Sequence, residues 1–71
     1  MAKSKIENNV RTLRFMKDEM TQAALAKALG VSRQTVVAIE KGQYSPSLEL
    51  ALKISNIFDK SVEEIFYIKE K

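Results

Sequence analysis

Three features of the sequence predict an all-α domain of five short helices. Apolar residues recur at spacings of three and four, Ser or Thr precedes several of these stripes, and Gly30 and Gly42 interrupt them. With 71 residues the chain is one domain, close to the lower limit for a single core. Its 45% hydrophobic content and lack of low-complexity runs favour a folded state.

The first helix is expected from about Ile6 to Lys17, with Ile6, Val10, Leu13 and Met16 or Lys17 on one face and Arg11 and Arg14 on its flank. Thr21 caps the second, and Met20 and Leu25 bracket that cap as a hydrophobic staple. Leu25, Ala28 and Leu29 face one way, and Gly30 stops the helix in the left-handed conformation. Only Val31 separates Gly30 from the next cap, Ser32. Val31 and Val36 repeat the staple, Val36 and Ile39 continue the inward stripe to Glu40 or Lys41, and Gly42 ends the third helix. "GQYSPS" reads as the one clear loop. Ser47, or Ser45 with Pro46 in the first turn, caps a fourth helix with Leu48, Ala51, Leu52 and Ser55 on its inner side. "SVEE", Ser61 to Glu64, has the spacing of a capping box and opens a short fifth helix. "IFYIK" then suits a short strand or an extended tail. No repeat or linker divides the chain, so residues 1–71 form a single domain with a core over 10–66 and an extension over 67–71.

Composition excludes several chemistries. There is no cysteine and no histidine, so disulfides, thiolate zinc sites and thiol or imidazole nucleophiles are absent, and neither metal nor cofactor is expected. Glu63 and Glu64 lie in a capping context, and no nucleophile–base pair suggests an enzyme. No apolar run reaches the roughly 18 residues of a membrane span. "MAKSKIENNV" has no signal-peptide core, so a cytoplasmic protein is expected. The net charge of +3 is unevenly placed. Residues 1–41 carry eight Lys or Arg against four acids, and residues 42–71 carry four against five. The basic half is compatible with a polyanion partner or with a solvated basic face.

Helices of eight to ten residues joined by a tight glycine turn must cross steeply, as in a helix-turn-helix, here residues 21–41. Ala26 supplies the small residue at the crossing, Gly30 the positive φ, and Val36 and Ile39 the apolar contacts. A hairpin that only packs a core is the alternative. Against it, Ser32, Arg33, Gln34 and Thr35 crowd the first turn of the second helix with hydrogen-bonding groups. Arg and Gln read guanine and adenine by paired hydrogen bonds in the major groove, and recognition helices present their N-terminal residues to base edges.

"TQAALAKALGVSRQTVVAIEKGQYSPSLELALKI" resembles the Cro/C1-type (Xre-like) helix-turn-helix family of phage and bacterial repressors. The resemblance rests on Thr21-Gln22, Leu25-Ala26, Gly30-Val31-Ser32, Arg33-Gln34-Thr35, Ile39-Glu40-Lys41-Gly42, Pro46-Ser47-Leu48 and the closing "SVEEIF". It implies a five-helix bundle like that of lambda repressor, binding double-stranded DNA. Thr21 and Gln22 correspond to phosphate-gripping positions, although a polar residue in a first turn would look the same. Ser32, Arg33, Gln34 and Thr35 correspond to base-reading positions. Lys41, Gln43 and Tyr44 correspond to backbone contacts, Tyr44 equally to a packing residue. Arg11 and Lys17 add phosphate contacts from the first helix, and Arg14 is expected to pair with Glu40. Two departures stand out. Val37 and Ala38 occupy base-reading positions without hydrogen-bonding groups, leaving contact with a thymine methyl, and the Lys17–Met20 link is one residue longer than usual.

Specific reading by one such small domain usually needs two copies about 34 Å apart. "IFYIK", including Ile68, offers a strand that could pair across a two-fold axis, and Ile57, Phe58, Phe66 and Tyr67 offer an apolar patch. The small stand-alone format resembles the cytolysin-operon repressors, which are homodimers with a β extension. The expected function is a repressor acting by operator occlusion as a homodimer, without a small-molecule ligand. The alternative is a module whose main target is a partner protein.

Overall fold

A computed structural model of the chain describes residues 5–69. In order these form β1 (Lys5–Asn8), α1 (Val10–Met16), α2 (Gln22–Leu29), α3 (Arg33–Glu40), α4 (Leu48–Phe58), α5 (Val62–Ile65) and β2 (Phe66–Lys69). The two strands are antiparallel, with Ile6 opposite Ile68 and Asn8 opposite Phe66. The chain is therefore mostly helical with a small sheet, and not all-α. Of the expected extension, residues 67–69 belong to β2, which follows α5 without a break, and 70–71 lie outside the described residues.

Four helices begin on the same local chemistry. Thr21, Ser32, Ser47 and Ser61 each accept the backbone N–H three residues on. Ser47, not Ser45, caps α4. At α5 the Glu64 carboxylate returns a bond to the Ser61 N–H at 2.9 Å, and the Ser61 N–H and hydroxyl together hold that carboxyl below the usual glutamate value.

Helix ends are equally local. Gly30 and Gly42 both have φ of 77°. After α2, Val31 N–H reaches Ala26 O at 3.0 Å and Gly30 N–H reaches Lys27 O at 3.2 Å. After α3, Gln43 N–H reaches Ala38 O at 2.9 Å and Gly42 N–H reaches Ile39 O at 3.0 Å. Both are Schellman closures, which satisfy carbonyls the helix leaves unpaired.

Val10, Leu25, Ala26, Leu29, Val36, Ile39, Leu50, Ile54, Phe58 and Ile65 form the core, with Leu13, Met20, Val31, Ile57 and Phe66 packed against it. Several expectations are corrected here. Ile6 is in β1, because its place in the stripe with Val10 also fits a strand and the partner strand lies at the far end of the chain. Met16 ends α1 exposed, and Ala28 is exposed while Ala26 is buried. Leu48 and Leu52 are 74% and 50% exposed, and Leu50, Ala51, Ile54 and Phe58 are the inner stripe of α4. Phe58, expected in an exposed patch, closes the core at 9% exposure. The longer link after α1 turns through Asp18 and Glu19, both left-handed with φ of 54° and 53°.

A Cβ added at Gly30 would meet nothing within 4 Å, so only backbone strain opposes substitution there. Gly30→Ala should cost about 1–2 kcal/mol, a fall in Tm of roughly 4–8 °C per kcal/mol for a domain of this size. Ala26→Leu, which overfills the helix crossing, should cost about 1–3 kcal/mol. Thermal unfolding followed by circular dichroism measures both, and an unchanged Tm for Gly30→Ala would contradict the strain assignment.

Candidate nucleic-acid interface

The outward side of α3 starts from its cap. The Ser32 hydroxyl accepts Thr35 N–H at 3.2 Å and lies 3.0 Å from the Thr35 hydroxyl, so the two side chains hold each other in place at the cap. Arg33 and Gln34, between them, are exposed, and among the described residues no hydrogen bond or ion pair holds either one. Arg33 offers donors only, and the Gln34 amide offers both donors and an acceptor. Val37 and Ala38, one turn on, are half-buried and add apolar surface only.

Beside α3 runs an open groove of about 490 Å³, lined by Arg11, Arg14, Thr21, Gln22, Val37, Glu40 and Lys41. Its floor is one polar cluster. Arg14 Nε and Nη2 donate to the two Glu40 carboxylate oxygens at 2.7 and 3.2 Å, and Nη1 donates to Met20 O at 2.7 Å. Gln22 Nε2 donates to Glu40 Oε1 at 3.1 Å. With Arg14 neutralised by Glu40, the positive charge facing solvent in this groove belongs to Arg11 and Lys41, beside the N-terminal amides of α2.

The structure therefore gathers Arg11, Thr21, Gln22 and Lys41 around one groove, which meets α3 at Val37, Glu40 and Lys41. The Arg14–Glu40 pairing is present. Gln22 is bound to Glu40, and its amide carries a second hydrogen for another acceptor. Lys17 does not join the groove; it lines a separate cleft with Leu13, Met16, Phe58 and Lys60. Gln43 is exposed beyond α3. Tyr44, 47% exposed, lines a separate cleft with Leu29, Gly30, Val31, Ser47 and Leu50. At the C-terminal end Ile57 and Phe66 pack on the core, while Tyr67 and Ile68 are exposed. The sequence reading missed Asn8, whose side chain reaches Ile39 O at 2.8 Å across 31 residues of chain. An asparagine pair just before an apolar stripe is the one local signal that could have marked it.

A family model described as helix-turn-helix matches residues 14–65, from the clamp arginine to the last core isoleucine. The chain belongs to the Cro/C1-type helix-turn-helix family. An HTH-type transcriptional regulator of Methanocaldococcus jannaschii is 57% identical over 51 residues, 72% of this chain and 77% of its own length. Another, YgzD of Bacillus subtilis, is 46% identical over 66 residues, 93% of this chain and 98% of that protein. The transcriptional repressor RstR of the cryptic phage CTXphi of Vibrio cholerae is 33% identical over 58 residues, and this chain spans 51% of it. Among solved structures, a candidate DNA-binding protein from Bacteroides fragilis superposes with a TM-score of 0.73 at 18% identity, covering 86% of this chain and 97% of that one. That likeness concerns the fold. In this helix-turn-helix chain, β1 and β2 fall outside the residues matched by the family model, so the ribbon is an addition to the common motif. No helix among the described residues is long and apolar enough to cross a membrane.

The Arg14 and Glu40 side chains are 15% and 7% exposed. Arg14→Ala leaves the carboxylate nearly buried and should cost about 2–3 kcal/mol, somewhat less than breaking a fully buried pair. Arg14→Lys should recover only part of this, because a point charge cannot make the forked contacts. Urea unfolding measures both, and full stability in Arg14→Lys would show that the forked geometry is immaterial.

Proposed function

We propose that this chain is a sequence-specific DNA-binding transcriptional regulator, a repressor that occupies a two-fold symmetric operator as a homodimer. The observation that carries this reading is the exposed, unengaged Arg33–Gln34 pair on the first turn of α3, with a cationic groove reaching the same helix at Val37, Glu40 and Lys41. Arg33 and Gln34 read base edges in the major groove, assisted by Ser32, Thr35 and the apolar surface of Val37 and Ala38. Arg11, Lys41, the second amide hydrogen of Gln22 and the N-terminal amides of α2 at Thr21–Gln22 grip the phosphate backbone. Gln43 adds a backbone contact beyond α3. Lys17 and Tyr44, the other expected backbone contacts, line separate clefts and are not needed for this reading. Repression is supported by the phage relative named as a repressor. The site of action is the cytoplasm, where the DNA is.

Pairing runs through the C-terminal end, on a revised surface. Ile68 and Phe66 share a ribbon face with Ile6, and Ile6 and Phe66 line an apolar groove of about 210 Å³ with Pro46, Leu48, Ala51 and Val62. Its occupant is the same groove of a second copy, since one small domain reads too little DNA to be specific.

Arg33→Ala and Gln34→Ala should each cost about 1–3 kcal/mol on DNA selected from a random pool, and relax preference at defined base pairs. Arg11→Ala and Lys41→Ala should weaken binding to all sequences and flatten its salt dependence by about one each. Titrations of selected and random DNA separate the two groups. Equal losses in both groups on both DNAs would remove the case for direct readout.

Light scattering at micromolar concentration should give twice the 8.1 kDa chain mass. Leu48→Glu, at a position 74% exposed, should return the monomer without unfolding it. A monomeric wild type would refute the pairing.

A further inference from the structure

We propose that Asn8 is a positioning residue for the recognition helix, fixing the C-terminal end of α3 where Lys41 and Gln43 leave it; this rests on the DNA-reading function proposed above. Asn8 is the last residue of β1. Its Nδ2 donates to Ile39 O at 2.8 Å, and its Oδ1 accepts the N–H of Val10 at 3.1 Å. One side chain thus joins the first turn of α1 to the last turn of α3.

The Ile39 carbonyl is itself part of the closure that ends α3, since it also accepts the Gly42 N–H at 3.0 Å. With two donors its lone pairs are filled, and one donor comes from outside the helix. The β1 backbone runs close to the same turn. A Cβ on Gly42 would stand 3.6 Å from Ile6 O, and Ile6, Glu7 and Asn8 share a cleft with Glu40, Lys41 and Gly42.

Asn8 is held from behind. It is paired with Phe66 in the ribbon, and Asn9 donates its backbone N–H to Ile65 O at 2.9 Å and its Nδ2 to Glu64 O at 3.0 Å. The end of α3 is therefore referenced to the C-terminal end of the fold. Finishing the first turn of α1 needs only an acceptor, which serine supplies as well. What asparagine adds is a donor, and that donor goes to α3.

The test uses two neutral variants in the full chain. Asn8→Ser keeps an oxygen for Val10 N–H but is too short to reach Ile39 O, and Asn8→Ala removes both bonds. Binding to selected DNA is measured from roughly 50 to 200 mM salt. Amide exchange at Gly42 and Gln43 is measured without DNA. Asn8→Ser should stay folded, bind about three- to tenfold more weakly, and show a salt slope shallower by about one per protomer. Exchange at Gly42 and Gln43 should quicken several-fold. A purely structural defect lowers the active fraction equally at every salt concentration and leaves the slope alone, so an unchanged slope overturns the proposal. Should Asn8→Ala unfold, Asn8→Ser carries the test. Should the wild type bind neither selected nor random DNA, the functional reading falls by itself. Exchange then decides for Asn8: faster exchange keeps its hold on α3, and unchanged exchange overturns it.

Discussion

Arg14 commits all three of its guanidinium nitrogens inside the protein, two to the Glu40 carboxylate and one to the Met20 carbonyl. Glu40 in turn receives a further N–H from Gln22. Four segments meet at this point: α1, the link after it, the start of α2 and the end of α3. An ion pair this sheltered must recover the cost of desolvating both charges, and here forked geometry with a third donor does so. The link gains most directly. Asp18 and Glu19 both sit in the left-handed region, at roughly 1 kcal/mol each for residues with a Cβ. The bond from Arg14 to Met20 O holds the chain where that strained turn delivers it to α2. The clamp also sorts the charges, because it removes Arg14 from the outer surface and leaves Arg11 and Lys41 as the solvent-facing cations of the groove.

Around the clamp, most of the architecture is written locally. Each of α2 to α5 starts on a hydroxyl that accepts the amide three residues later, and α2 and α3 both end in a glycine-based closure. Such signals lie within five or six residues of each other and are visible in a sequence without knowledge of the fold. The crossing of α2 and α3 was legible for the same reason, since Ala26, Gly30, Val36 and Ile39 fall at spacings that only a steep packing uses well. A small domain gains from this arrangement, because local contacts form with little loop-closure cost.

What the sequence hid was non-local or degenerate. The apolar residues of α4 at 48, 50, 51, 52, 54, 57 and 58 draw two overlapping stripes, and only the position of the other helices selects the one through Leu50, Ile54 and Phe58. Ile6 satisfied both a helical and a strand spacing, and its partner Ile68 lies at the other end of the chain. Tyr44 and Lys17 followed a family pattern of contact residues but face other clefts. The capped, exposed first turn of α3 was legible residue by residue, whereas the hold that Asn8 places on α3 was not. A hydrogen bond across 31 residues leaves no periodicity to read.

The composition of the first turn of α3 bears on why the proposed function calls for two copies. Ser32 and Thr35 bond to each other and keep one hydroxyl hydrogen between them, and Val37 and Ala38 have no hydrogen-bonding side chains, so the paired contacts in the proposed function fall to Arg33 and Gln34. A good paired contact discriminates by about 1–3 kcal/mol, so one protomer supplies roughly 2–6 kcal/mol. Specific and non-specific binding typically differ by about 4–10 kcal/mol. One protomer reaches only the lower part of that range, and two, at roughly 4–12 kcal/mol, cover it. With so short a polar code, the proposed reading of a specific operator depends on the proposed pairing through the C-terminal face, and the two proposals have to be tested together.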